Sequence, residues 1–551
     1  MARPKQNSKV PKQSKKGKEQ QFLETENDYL EAADELESGA GKWRAGDAAK
    51  ALRFYQKATA TYEEGLKRYP RSFDLAYNKA LILYQITQDS RLVSQIGPIL
   101  DILQETLNAH RVALSIDQQN PDVLFNTAQV LTTFAEELME SDMDEKDTKP
   151  QATSFLQEAI ELFAACLSRQ EMDFTEAQAL QNASADTQDG DDDAMTDEEA
   201  AEIPDKETPD EETPEQWATV LEPVTPSTLL DTSVAQLQCL ATLARVVAPT
   251  QSSMLANISE LAAPLTAQKI PYYISLLPTS VAEEEEKSAA FLSVSITAFS
   301  FHQGSPATST NPRASAQLDA DLAIAHFSAN LADAEFGSQL LNAKDYYERV
   351  VDAYSPLQQS VRDDQSPSSH LRFLCEYADA LTDFADSISE SNNEREASAH
   401  RWTALSSAQT LLTKATDILK SSGASNNLSS PKKSQIYLQR GDIELQRWRL
   451  ARLPSATASI ASGAAVLLKN AGVYYRGAAG LAVQDGNEDI AGEAGVKAGV
   501  VKLVMDTSEG GVAFNPRNLF PNFEEDVVKG IMEDMIEEGL VDEDVMLLMK
   551  G

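Results

Sequence analysis

Asp74-Leu75-Ala76-Tyr77-Asn78-Lys79-Ala80 recurs 48 residues further on as Asp122-Val123-Leu124-Phe125-Asn126-Thr127-Ala128, and each copy follows a proline, Pro70 or Pro121. The shared pattern is Asp-x-x-aromatic-Asn-x-Ala. On a helix, a small residue such as Ala80 or Ala128 lets a neighbouring helix approach closely, and the aromatic about one turn earlier fills the adjoining groove. A helical unit that repeats cannot bury its apolar face alone, so stacking against its neighbours is implied.

The surrounding sequence has the same helical period. Over Lys50–Tyr69 the residues Ala51, Phe54, Tyr55, Ala58, Tyr62 and Leu66 fall on one face, with Lys50, Arg53, Lys57, Glu63 and Glu64 mostly on the rest. Gly46-Asp47 offers a turn before this helix and Pro70 follows its end. Leu131-Thr132-Thr133-Phe134-Ala135-Glu136, just after the second repeat copy, is echoed far away by Leu381-Thr382-Asp383-Phe384-Ala385-Asp386. Alternating Val/Ile runs bounded by turns are nearly absent, so an all-α fold is expected.

Length and charge bound the rest. A chain of 551 residues is too long for one ordinary core. With 86 Asp+Glu against 47 Lys+Arg the net charge is -39, which disfavours direct DNA binding. No run approaches the ~18 apolar residues of a membrane span, and the N-terminus lacks the apolar core of a signal peptide. Cys166, Cys239 and Cys375 lie far apart without a CxxC, which suits a reducing, intracellular compartment, cytoplasm and/or nucleus.

The charge is unevenly spread. Residues 1–18 carry seven basic side chains, including Lys12, Lys15, Lys16 and Lys18, and no acid; the stretch reads either as a nuclear import signal or as a solubilising tail. Asp186–Glu215 holds fifteen acids against Lys206 alone, interrupted by Pro204, Pro209 and Pro214, so it reads as an extended linker. Its acids Asp191, Asp192, Asp193, Asp197, Glu198 and Glu199 are candidates for attracting a basic partner, and Thr196, Thr208 and Thr213 for phosphorylation. The domains expected are a disordered basic tail (1–22), a helical block (23–172), an acidic disordered linker (173–228) and a second, diverged helical block (229–508) with loops near 303–316 and 421–432. An acidic C-terminal segment (509–551) closes the chain.

Gly46-Asp47…Ala51…Tyr55…Ala58, Tyr77-Asn78-x-Ala80 and Phe125-Asn126-x-Ala128, with Pro70 and Pro121, together resemble the tetratricopeptide-repeat (TPR) family. The likeness covers about 45–170 and is only suggestive at 320–355, 371–388 and 435–485. It implies a solenoid of helical hairpins whose work is to bind proteins. The interval from Pro70 to Pro121 is 51 residues, longer than the family's roughly 34, which calls for lengthened helices or an inserted turn. Some TPR proteins clamp the terminal carboxylates of chaperones with Lys, Arg and Asn side chains. Here Leu36, Ala40 and Asp122 stand where donors are needed and Asn78 alone fits, so that reading is disfavoured.

Enzymatic constellations are missing from the pattern. His110, His302, His326, His370 and His400 show no HExxH spacing, no GxxxxGK[ST] or GxSxG is present, and Gly510-Gly511 reads as a loop. Cys166 and Cys239 sit among leucines and alanines as small core residues. No cofactor and no metal are expected. Tyr77, Asn78, Phe125 and Asn126 are the candidate partner-binding residues, with the alternative that the asparagines satisfy neighbouring helix ends.

Val527, Val528, Ile531, Met532, Met535 and Ile536 form an apolar stripe near the C-terminus, followed by Met546–Met549. It either caps the last exposed groove of the array or docks a partner through its methionines. The function expected is that of a non-enzymatic chaperone or escort for basic clients, ribosomal proteins or histones. Acidic TPR chaperones resemble the chain in joining the repeat to an acidic insert, although there the insert interrupts a repeat. The alternatives are a scaffold or adaptor subunit of a larger complex and the regulatory subunit of an enzyme.

Overall fold

The computed structural model describes residues 23–141, 143–188, 224–247, 251–279, 312–364, 366–390, 394–421, 431–508, 520 and 523–545. The basic tail, the acids Asp191 to Glu199, the three candidate phosphorylation sites, most of both loops, Gly510-Gly511 and Met546–Met549 lie outside them. Every regular element among the described residues is helical. The chain divides into two units, Met1–Glu137 and Leu138–Gly551.

The first unit contains α1 (Glu26–Arg44), α2 (Ala48–Arg68), α3 (Phe73–Thr87), α4 (Ser90–Val93), α5 (Ile99–Ile116) and most of α6 (Pro121–Glu140). Each early helix starts on a side-chain oxygen that accepts an otherwise orphaned backbone N–H: Thr25 for α1, Asp47 for α2 and Ser72 for α3. The helix read at 50–69 is α2, and Ala51, Tyr55, Ala58 and Tyr62 are buried as its pattern requires. It pairs with α1, and α3 pairs with α5. The long interval between prolines is explained by residues 88–98, where the four-residue α4 and a turn at Gly97 are inserted between α3 and α5.

The second unit begins with the end of α6 and the 44-residue α7 (Glu145–Gln188). The acidic stretch read as a break, Ser141–Pro150, does separate two helices, since α6 ends at Glu140, but α7 already starts at Glu145 and takes in the rest of it. Asp144 accepts the Lys146 N–H at 2.9 Å and so acts as a cap. Pro150 stands about one turn inside α7, where a missing N–H forfeits a bond near the end and not in the middle. The helix also runs past 173, the expected start of the linker, because 174–188 contain Ala, Gln, Glu and Leu with no proline or glycine. Cys166 and Cys239 are both buried, and the Cys239 thiol lies 3.6 Å from the Leu156 carbonyl.

Next come α8 (Pro226–Val246), α9 (Ser252–Pro264), a π-helical turn (Leu265–Lys269) and α10 (Ile270–Leu276). After the undescribed stretch the order is α11 (Pro312–Gly337), α12 (Ala343–Tyr354), α13 (Leu357–Asp364), α14 (Pro367–Ser387) and α15 (Glu394–Ser421). The unit ends with α16 (Pro431–Arg452), α17 (Ala458–Ser462), α18 (Ala464–Asp485), α19 (Glu488–Ser508) and α20 (Glu525–Glu537). Pro312 opens α11 and Pro431 opens α16, so the two expected loops end earlier than 316 and 432.

Helices α11 to α16 share one core around Leu322, Tyr346, Tyr354, Leu381, Phe384, Leu412 and Ile443. Helices α16, α18, α19 and α20 share a second around Trp448, Leu468, Tyr475, Val500 and Met532. The pair α16 and α18 packs closely because glycines accept rings: Gly441 lies against Tyr475 and Gly477 against Tyr437. The apolar stripe near the C-terminus is part of this second core. Val528, Met532 and Met535 of α20 are buried, and Leu540, Val541 and Val545 follow them in. Gly539 ends α20 in the left-handed conformation, φ +66°, while the Leu540 N–H bonds the Met535 carbonyl at 2.8 Å. Arg449 of α16 then donates to the Gly539 carbonyl and to Asp542. The stripe therefore caps the array through its described residues.

Candidate functional site

The repeat residues of the first unit meet one another. Tyr77 on α3 stacks on Phe73, ring centroids 5.3 Å apart, and its hydroxyl accepts the Asn126 Nδ2 of α6 at 2.7 Å. The same Nδ2 donates to the Asp122 carbonyl at 2.9 Å, so both amide hydrogens serve the fold. Phe125 and Asn78 are half-buried on α6 and α3. Lys79, beside Asn78, pairs with Glu63 of α2 at 2.8 Å. What Asn126 can still offer a bound peptide is its carbonyl. His110 is buried in the same unit: its Nδ1 lies 3.0 Å from the Thr106 carbonyl, and burial pulls its pKa down to about 4, leaving it neutral.

A surface that the apolar period hides lies in the second unit. Glu376, Asp379, Asp383 and Asp386 fall at i, i+3, i+7 and i+10 on α14, within about 80° of one another around the helix at 3.6 residues per turn. Their spread along the axis is about 15 Å at 1.5 Å per residue. Leu374, Ala378, Leu381 and Ala385 of the same helix enter the core, so the acids are left on the other side. The sequence signal was available in the acid spacing, but the stretch reads first through its apolar echo of Leu131–Glu136.

Partners on several helices fix these carboxylates. Gln439 of α16 donates to Asp379, and Gln446, seven residues on, donates to Asp386 at 2.8 Å. Arg372 donates to Glu376 at 2.6 Å and to Asp319 of α11. Asp379, Asp383 and Asp386 are solvent-exposed, yet burial is the main cause raising the pKa of each, to about 6 for Asp379 and Asp386. Like charges add to the shift: Asp383 and Glu376 at Asp379, Asp383 and Glu538 at Asp386. Arg401 of α15 and Arg245 of α8 act against it at Asp386 and Asp383.

A different kind of surface lies where α7 meets α10. A shallow cleft of about 320 Å³ is lined by Glu171, Phe174, Leu229, Lys269, Tyr272 and Tyr273. Lys269 pairs with Glu171 at 2.8 Å, and the Tyr273 hydroxyl also donates to Glu171. Met172 and Tyr272 beside it are more than half exposed.

These features define a class, an all-α array of stacked helical hairpins that carries an acidic stripe on one helix. Among the described residues no helix is long and apolar enough to cross a membrane. No protein-family model matches the chain. It is similar to UPF0656 protein C926.02 of Schizosaccharomyces pombe, with 25% identity over 446 residues that span 80% of this chain and 81% of that one. Among solved structures, a circular tandem repeat protein with novel repeat topology and enhanced subunit contact surfaces aligns over 95% of this chain and 98% of its own. That alignment has a TM-score of 0.31 and 14% identity, too low to add to what the helices themselves show.

Proposed function

We propose that the chain is a non-enzymatic binding protein that escorts basic client proteins, ribosomal proteins or histones, with acidic segments screening the client's charge. The observation that carries this reading is the α14 stripe. Four carboxylates lie within about 15 Å on one helix face, and burial opposes the ionisation of Asp379, Asp383 and Asp386 among them, which is unfavourable for the isolated fold. A cationic segment laid along the stripe would relieve that repulsion. The net charge of -39 favours the same class of client.

The test is affinity purification with mass-spectrometric identification, comparing the intact chain, a deletion of 186–215 and the quadruple variant Glu376→Gln/Asp379→Asn/Asp383→Asn/Asp386→Asn. Recovery of basic proteins that the variants lose supports the escort reading. Recovery of the same non-basic partners by all three sinks it. The scaffold or adaptor reading would then stand, favoured by the exposed Met172 and Tyr272 beside the α7–α10 cleft.

A further inference from the structure

We infer that the outward face of α18 is a docking strip for an acidic amphipathic helix of a partner protein. This surface has the opposite charge preference to the α14 stripe and does not depend on the escort reading. Helix α18 divides cleanly into two faces. Leu468, Ala471, Tyr475, Ala478 and Ala482 are buried. On the other side Val466, Val473 and Val483 are 60%, 48% and 70% exposed. Lys469, Arg476 and Gly480 alternate with them and are exposed as well.

The spacing of these six residues points to a helix as the occupant. They advance by alternate steps of three and four residues, the register that one helix presents to another along a supercoil seam. At 1.5 Å per residue they span about 26 Å, and at 3.6 residues per turn they stay within about 100° of one another. Single exposed valines are ordinary on a protein surface. Three in one register on one helix make a strip, and such a strip marks an interaction surface.

The cations within the strip select what covers it. Neither Lys469 nor Arg476 forms an ion pair among the described residues, and the Arg476 guanidinium lies back against Gly472 of its own helix. A wholly apolar partner would desolvate both cations without a counter-charge, which is costly. A second copy of α18 is opposed by charge in either direction. Parallel pairing sets Lys469 and Arg476 against themselves, and antiparallel pairing brings the two Arg476 groups within about one turn of each other. A helix with carboxylates opposite Lys469 and Arg476, and apolar side chains opposite the valines, satisfies every position. Nothing lies within 4 Å of where a Gly480 Cβ would stand, which leaves room for a large side chain of the partner. The net charge of -39 repels an acidic partner from afar. At physiological ionic strength screening acts beyond about 8 Å, so the local pairs decide.

The experiment uses the full chain and two fluorescent three-heptad helical peptides that share isoleucine opposite the valines. One carries glutamate and the other glutamine opposite Lys469 and Arg476. Neither has a cation, so neither addresses the α14 stripe. Anisotropy at neutral pH and physiological ionic strength should show the glutamate peptide binding the intact chain about fivefold to tenfold more tightly than the glutamine peptide. Lys469→Glu/Arg476→Glu should invert that order, and Val466→Ser/Val473→Ser/Val483→Ser should weaken both peptides. These side chains lie outside the core, and unchanged thermal unfolding of the variants checks that the fold is kept. No binding of the glutamate peptide, equal affinity for both peptides, or a preference that survives the charge reversal overturns the proposal. Self-association of the intact chain in sedimentation, lost in the valine variant, would make a second copy the occupant and overturn it too. The α14 quadruple variant should keep this binding, so failure here leaves the escort reading standing.

Discussion

The Lys497 ammonium of α19 lies 3.1 Å from Asp442 of α16, and the lysine side chain is only 3% exposed. Glu493 at 2.8 Å and Glu538 at 3.4 Å complete its surroundings, and the Tyr475 hydroxyl of α18 donates to the same Asp442 oxygen at 2.8 Å. One buried cation thus ties α16, α19 and the segment after α20. Lys497→Met should lower stability by about 3 kcal/mol, since the carboxylates lose their counter-charge while Asp442 stays desolvated. Adding Asp442→Asn should recover part of that loss. Urea unfolding followed by Trp448 fluorescence measures both; equal stability of the single and double variants would contradict the coupling.

Asp379, Asp386 and Asp442 all have pKa values raised to about 6, with burial the leading cause. Groups raised on folding bind protons more tightly in the native state. Their stabilising contribution is complete below the unfolded aspartate value near 4 and is lost as pH rises through about 6. Asp379→Asn/Asp386→Asn should therefore raise the melting temperature at pH 7 and reduce the fall in stability between pH 4 and 6. A lower melting temperature at pH 7 would show that the carboxylates stabilise the fold.

Tyr77→Phe removes the hydroxyl that accepts from Asn126 and should cost about 1 kcal/mol. Asn126→Ala should cost somewhat more, because the bond to the Asp122 carbonyl is lost as well. Thermal unfolding reads both. If client affinity falls while stability stays unchanged, the α3–α6 face touches the client directly.

Two glycines separate packing from backbone freedom. A Cβ at Gly441 would collide with the Tyr475 ring, so Gly441→Ala should destabilise by about 1–3 kcal/mol. Gly480 of α18 has nothing nearby, and Gly480→Ala should stabilise by about 0.5–1 kcal/mol through helix propensity. Opposite signs in chemical denaturation are the expected result.

The fold was legible wherever one apolar face dominates. Helix α2 could be read residue by residue because Ala51, Tyr55, Ala58 and Tyr62 leave no competing period. The start of α7 was less legible because Pro150 and the acids before it are breakers by composition, and the break is confined to the residues before Glu145 only because Asp144 caps the new helix. The inserted α4 is too short for periodicity to reveal. Asn126 was visible as a repeated residue, but its partner Tyr77 lies 49 positions away, and sequence does not choose between a peptide and a helix as what it bonds. The acids of α14 were present in plain order, yet they acquire meaning only when α16 sets a glutamine opposite two of them.

Helix α7 is about 66 Å long at 1.5 Å per residue, but its buried residues end at Gln170. From Glu171 to Leu180 no side chain is buried, and Leu180 is two-thirds exposed. An isolated helix of that length is marginal in water, so packing anchors one half and local propensity maintains the other. Amide hydrogens along this single helix should exchange on a gradient, slowly at Leu156–Leu167 and orders of magnitude faster beyond Glu176. The distal turns can then fray and re-form without disturbing the core, a reservoir of local unfolding within one continuous element.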